Sequence, residues 1–189
     1  MKKLFALMAA LVLLLSFAMA EETEVGSVVF TEIMTEEELA QGIYDRITDD
    51  FPAMIWIPND TFIIADLSEI PEDYATGHEI GLLKFAADES LKVIFTELPN
   101  DTGTFDDLLT TLREDKDPDG NPYFYEIEEA VVNGIRAVSY KSTLDSDDVV
   151  YATFEILDYD WLNIMVIEST NEEYAEAVSQ ICRSVRVAE

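Results

Sequence analysis

Pairs of short apolar segments, each joined by a tight turn sequence, restrict the fold of this chain more than any other feature. The clearest pair, 123–132 and 135–141, flanks Asn133-Gly134, a dipeptide typical of two-residue hairpin turns. Similar pairs are the segments 51–57 and 61–65, 80–86 and 91–98, and 149–157 and 161–168. Because hairpins place neighbouring strands antiparallel, the sequence predicts an antiparallel sheet of about six or more strands.

Three segments carry helical patterns. Thr35 and Glu38 have capping-box spacing and precede apolar residues spaced by four, which predicts a helix over 36–48. Apolar residues with helical spacing predict two more helices, over 104–114 and 171–185. Amphipathic helices must bury their apolar faces against the sheet, so the predicted class is α+β, a sheet flanked by helices.

The first 20 residues have the form of a secretory signal peptide. Two lysines precede an apolar run, and Ala18-Met19-Ala20 forms a small-x-small cleavage site. The sequence therefore predicts a secreted protein cleaved after Ala20, with a retained membrane anchor as the alternative. Residues 21–34 are predicted to be an acidic leader with room for a short strand, and 35–189 a single domain.

The chain is strongly acidic, with 40 Asp and Glu residues against 11 Lys and Arg and a formal net charge of −29. Such a surface repels nucleic acid and anionic lipid, and it favours cations or basic partners. Acidity can also serve solubility alone, with no partner. Cys182 is the only cysteine, so the sequence excludes an internal disulfide and a lipid-modified cysteine next to the signal. We expect Cys182 to be a core residue of the last helix, and no stable membrane anchor after cleavage.

One segment matches a calcium-binding loop. Asp115, Asp117 and Asp119 are followed by a glycine, by Asn121 and, at the twelfth position, by Glu126, as in the loop of an EF-hand. These carboxylate and carbonyl oxygens are ligands that Ca²⁺ prefers. The sequence therefore predicts a candidate calcium site, and calcium is the one cofactor that it suggests.

Other features of this segment favour a plain turn. Pro122 has no N–H to donate where paired calcium loops exchange hydrogen bonds, and no second loop exists to pair with. The aromatic residues that follow favour a strand, which would carry Glu126 away from the ion. Calcium loop and plain turn both remain open at this point.

Catalysis has little support in the sequence. His78 is the only histidine, and its neighbours fit no nucleophile motif, so we expect a solvated loop residue. Trp56 and Trp161 lie within apolar strands and are expected in the core. A hydrolase that uses paired carboxylates is an alternative for a chain this acidic, but no pair can be identified.

The segment 51–186 resembles the PsbP-like and Mog-type α/β/α sandwich family. The resemblance is carried by a strand that ends in proline (Met54-Ile55-Trp56-Ile57-Pro58), by the acid-led helix over 105–114, and by Asn133-Gly134-Ile135-Arg136. The final Ile181-Cys182-Arg183-Ser184-Val185 is similar to the helix end of that family. The resemblance implies an antiparallel sheet between helices and an accessory or binding role without catalytic residues.

The sequence thus predicts a secreted, non-catalytic module that binds an extracellular protein or other ligand of unknown identity. A calcium-stabilised extracellular domain is the first alternative, and a carboxylate-using hydrolase is the second.

Overall fold

The computed structural model describes residues 34–86, 92–100, 103–145, 149–167 and 172–188. The predicted signal peptide and nearly all of the predicted leader lie outside the described residues. None of the helices in the described part of the chain has the length and apolarity needed to cross a bilayer.

The described residues form ten strands, three α-helices and two 3-10 turns. The strands are β1 Gly42–Arg46, β2 Ala53–Pro58, β3 Phe62–Ile64, β4 Glu79–Phe85, β5 Lys92–Leu98, β6 Phe124–Val132, β7 Ile135–Ser142, β8 Val149–Phe154, β9 Trp161–Ile167 and β10 Arg186–Val187. The helices are α1 Glu36–Leu39, α2 Phe105–Glu114 and α3 Glu172–Ser184, and the 3-10 turns are Leu67–Glu69 and Glu72–Tyr74.

The strands within the described ranges form two antiparallel sheets. The large sheet has seven strands in the order β3-β4-β5-β9-β8-β7-β6, and the small sheet has three in the order β1-β2-β10. All pairings are antiparallel. The prediction of an α+β fold with six or more antiparallel strands is therefore confirmed, whereas the division into two sheets was not predicted.

The large sheet lies between two layers. On one face, its alternate residues pack with Ile55 of β2 and with Ile181 and Cys182 of α3 in one apolar cluster. On the other face, Leu109 and Leu112 of α2 and residues of the 3-10 turns cover two smaller clusters. Both tryptophans are buried as predicted, since Trp56 is 2% exposed and Trp161 9%.

The long helices begin and end close to the predicted positions. Thr104 caps α2, because its hydroxyl accepts the N–H of Asp107 at 3.2 Å while the Asp107 carboxylate accepts the N–H of Thr104 at 2.8 Å. This reciprocal pair satisfies two backbone donors that the helix itself cannot use. The apolar face of α2 then packs on the large sheet.

The predicted helix over 36–48 is wrong beyond its first turn. The capping box of Thr35 and Glu38 is present, but α1 ends at Leu39 and β1 begins at Gly42. Apolar residues four apart lie on one face of a strand as well as on one face of a helix, so the spacing of Ile43 and Ile47 fits both. Pairing with β2 decides in favour of the strand.

The segments 51–57 and 61–65 form strands, as predicted, but they are not paired with each other. β2 pairs with β1 and β10, whereas β3 pairs with β4 in the large sheet. Between them, Asp60 adopts a left-handed backbone conformation at φ +59°. The chain therefore passes from one sheet to the other through the turn after Pro58.

Candidate functional site: an apolar groove between two sheet edges

The segment predicted as a calcium loop folds as a compact turn centred on Asp117. The Asp117 carboxylate accepts the backbone N–H groups of Asp119 and Asn121 at 3.0 and 2.8 Å through one oxygen, and the Asn121 side-chain amide at 3.0 Å through the other. These hydrogen bonds, those from Asn121 first, lower the pKa of Asp117. Gly120, at φ +88°, closes the turn.

The remaining predicted ligands do not converge on this turn. Asp115 and Asp119 are exposed, and Glu126 lies in β6, where its carboxylate is 3.1 Å from the ammonium group of Lys141. Glu126 also sits at an irregularity of the β6–β7 pairing, with φ +50°. Across the described residues, no three His, Cys, Asp or Glu side chains are grouped as metal ligands. The arrangement therefore does not fit a calcium ion, and calcium binding stays a prediction from the sequence.

Replacing Asp117 separates a plain turn from a calcium loop. For a turn, we expect Asp117→Ala to lower the melting temperature equally in Ca²⁺ and in chelator, because the lost hydrogen bonds are internal. The difference from the wild type should be largest above the carboxyl pKa of the unfolded state and should shrink as the pH falls toward the lowered pKa of the folded state. A wild-type melting temperature that rises with Ca²⁺, and an Asp117→Ala variant that does not respond, would contradict the turn.

The carboxyl groups whose pKa departs from its usual value do not resemble acid catalysts. A proton-donating carboxyl needs a raised pKa, usually from burial. In the described residues, each carboxyl group with a clear shift has a lowered pKa, and these groups are Glu38, Asp66, Glu69, Glu79, Asp107 and Asp117. For Glu79, burial acts to raise the pKa, but hydrogen bonds from Thr76 and Gly77 outweigh it. His78 is exposed, as predicted.

The single thiol is enclosed by the main apolar cluster. Cys182 has no exposed surface and lies in α3 next to Ile181, which is also fully buried. Burial raises the pKa of the Cys182 thiol to about 12, against a smaller opposing effect of Arg183. The thiolate, which is the nucleophile, is therefore scarce at neutral pH. The predicted core position of Cys182 is confirmed.

We expect the thiol to be unreactive in the folded protein. An aromatic disulfide reagent at pH 8 should label Cys182 only as fast as the protein unfolds, and immediately in denaturant. Labelling of the native protein at the rate of a free thiol would contradict the burial of α3.

An open apolar groove lies where one edge of each sheet meets. It is lined by Asp45 and Arg46 at the end of β1 and by Ile47 just after it, together with residues of four further strands. These are Ile55 and Ile57 of β2, Ile64 of β3, 81–83 of β4 and Phe95 of β5. Ile64 is 74% exposed, and Ile43, on the same face of β1 as Ile47, is 57% exposed. Exposed apolar residues that adjoin a groove are typical of interaction sites.

Local sequence explains the shape of this groove. Gly81 has no side chain, and a Cβ built there would lie 3.1 Å from Cγ2 of Ile47. Ile47 therefore packs over β4 and closes the inner end. At the outer end, β3 is only three residues long, so Ile64 is the last residue of its strand and nothing in the described part of the chain covers it.

A second opening lies at the far end of the large sheet, beside the β6–β7 hairpin. It is lined by 133–136, Glu155, Leu157 and Val187. Its one cation, Arg136, is already paired with Asp106 at 2.5 Å and Glu155 at 3.4 Å. Because this charge is neutralised within the protein, the opening offers less for recognition than the groove.

The sequence patterns do not indicate the groove. They predict a helix for Ile43 and the second strand of a hairpin for Ile64. The apolar residues themselves are visible in the sequence, but which strands are edges depends on the order of strands in both sheets. No motif in the sequence marks that order.

Comparisons with known proteins add a resemblance in fold. No protein-family model matches the chain, and no curated protein matches it. Among solved structures, the solution structure of cyanobacterial PsbP (CyanoP) from Synechocystis sp. PCC 6803 is similar, with 13% sequence identity and a TM-score of 0.47. The match covers 83% of this chain and 98% of that chain. The expected resemblance to PsbP-like proteins is thus confirmed as a weak structural one.

Proposed function

We propose that this chain is an exported, non-catalytic binding module that holds an extracellular protein or other ligand in the groove between the two sheet edges. The observation that carries the proposal is the exposure of Ile43 and Ile64 beside a groove lined by apolar residues of four strands. Burying these two side chains under a ligand would be favourable by about 1.5–3 kcal/mol for each one fully covered. Export is supported by the basic and apolar sequence of residues 1–20.

No observation on the described residues favours either alternative function, the calcium-stabilised domain or the carboxylate-using hydrolase. For the calcium-stabilised domain, Asp117 is engaged by backbone N–H groups and Glu126 by Lys141. For the carboxylate-using hydrolase, the clearly shifted carboxyl groups have lowered rather than raised pKa values. Binding through the groove is therefore the proposed function.

A capture experiment with matched variants tests this proposal. Chemical cross-linking in the protein's native extracellular fraction should recover a ligand with the wild type and with Leu144→Lys, but not with Ile64→Lys. Leu144 is 73% exposed and lies away from the groove, so both variants add the same charge at equally exposed positions. Equal recovery with the two lysine variants, or no reproducible recovery with the wild type, would contradict the proposal.

A further inference from the structure

We propose that the ligand of this groove is an extended basic segment of a partner protein, which adds as a strand to the open edge of β1. The inference rests on the proposed function and names the partner's chemistry. It follows from the hydrogen-bonding pattern of β1, from the state of the other described sheet edges, and from the net charge of the chain.

The backbone N–H and C=O groups of every second residue in β1 point away from β2. The N–H of Asn59 donates to the carbonyl of Gln41 at 2.9 Å, and the N–H of Ile47 donates to the carbonyl of Ala53 at 3.4 Å. These bonds place residues 41, 43, 45 and 47 at hydrogen-bonded positions facing β2, because such positions alternate in antiparallel pairs. The backbone groups of Gly42 and Tyr44 therefore face outward, and no described residue pairs with them.

The other edges are protected against pairing. β3 has three residues and β10 has two, which is too short for a stable ladder. β6 is long, but its pairing is irregular at Glu126, and Glu128 and Glu129 are also exposed on it. Bulges and charged side chains are the usual means of blocking an edge. Among the described strands, β1 is the open edge long enough to accept a partner.

An added strand would also extend the apolar face beside the groove. Ile43, Asp45 and Ile47 share the face that turns toward the large sheet, so an added strand would place every second side chain on that face, next to Ile43. In this mode of recognition, backbone hydrogen bonds supply affinity and alternate side chains supply specificity. The partner segment should therefore alternate apolar and polar residues.

The net charge of the chain, −29, favours a basic partner. At the groove itself, the charged lining residues are Asp45 and Arg46, and Arg186 lies over the Tyr44 ring, 3.5 Å from its centroid. Residues 36–85 include twelve acidic side chains and two basic ones, Arg46 and Lys84. Lys84 is buried and lies 2.6 Å from the carboxylate of Glu69. Asp45, at the groove, accepts the N–H of Arg46 and forms no ion pair within the described residues. A second copy of this chain would bring a net charge of −29 against the same surface, so the charge opposes self-association.

A defined peptide tests the proposal directly. A seven-residue peptide of alternating lysine and valine, fluorescently labelled, should bind the purified protein in an anisotropy titration, and more weakly as salt is raised. A peptide with glutamate in place of lysine, and one with the lysines and valines grouped in separate blocks, should each bind at least about tenfold more weakly, a loss of ~1.4 kcal/mol. N-methylation of alternate backbone nitrogens should have a similar effect, because it removes the donors that would face β1.

Matched variants of the protein test whether the peptide binds at β1 and the groove. Tyr44→Pro removes an outward N–H without breaking a β1–β2 hydrogen bond, and it should weaken binding about tenfold. Tyr44→Ala keeps that N–H and should bind within about threefold of the wild type. Ile64→Lys should abolish binding, and Leu144→Lys should not. The N-methylated peptide needs no protein variant, so it remains decisive if Tyr44→Pro fails to fold.

The outcomes separate this inference from the proposed function. If Ile64 controls ligand capture but Tyr44→Pro and N-methylation have no effect, the groove is a binding site and strand addition is wrong. If the peptide binds only a variant that lacks residues 21–33, or if the protein dimerises through β1, a different occupant covers the edge and the inference is wrong. If neither capture nor peptide binding depends on Ile64, both proposals fail.

Discussion

Replacing Trp56 with alanine should lower the free energy of unfolding by about 3–5 kcal/mol, the usual cost of removing a buried aromatic side chain. Trp56 is 2% exposed in β2, and its indole Nε1 donates to the carbonyl of Leu39 at 3.1 Å. The substitution leaves a cavity and also unpairs the carbonyl that ends α1. Chemical denaturation followed by circular dichroism measures the loss.

Trp161→Ala provides the matched control for this prediction. Trp161 is also buried, but it packs edge-to-face on Phe105 of α2, with ring centroids 5.7 Å apart, on the opposite side of the large sheet. Both variants should be destabilised, whereas only Trp56→Ala should speed hydrogen exchange in β1. A loss below about 1 kcal/mol for Trp56→Ala, or equal exchange in β1 for the two variants, would show that the indole does not hold the small sheet.

Gly42→Ala should have the second largest effect, lowering the free energy of unfolding by about 1–3 kcal/mol because the added methyl group overpacks the site. A Cβ at this position would lie 2.3 Å from the Trp56 ring and 2.4 Å from the backbone oxygen of Ile57. To relieve the contact, β1 must move away from β2, so the variant should also lose binding of the lysine–valine peptide. Thermal melting and the anisotropy titration measure the two effects.

A double variant shows whether contact with the Trp56 ring causes the loss of stability in Gly42→Ala. In Gly42→Ala combined with Trp56→Ala, the ring that the new methyl group meets is absent, so the combined loss should be smaller than the sum of the two single losses. Residues in direct contact typically deviate from additivity by about 0.5–3 kcal/mol. Additive losses would mean that contact with the Trp56 ring is not what destabilises Gly42→Ala.

Local sequence predicted the elements that depend on local chemistry. Asn133-Gly134 forms the expected hairpin turn, with both residues at positive φ. α2 begins at Phe105, next to the predicted start, where Thr104 and Asp107 form a capping box. In each case a few neighbouring residues determine the conformation, so the pattern is sufficient.

The incorrect or missing predictions concern arrangements between distant segments. Ile43 and Ile47 fit a helix or a strand equally, and only pairing with β2 makes them a strand. β5 lies beside β9, across some 70 residues of sequence, and β2 and β3 enter different sheets. The groove is a product of that order, so its residues are visible in the sequence while their proximity is not.

Backbone amide exchange in β1 is the most direct test of binding at the groove. With saturating lysine–valine peptide, we predict slower exchange at the outward amides of Gly42 and Tyr44 and no change at Ile43 and Asp45, which already face β2. Protection confined to other parts of the protein, or no protection at Gly42 and Tyr44 in a complex that forms, would contradict strand addition at this edge.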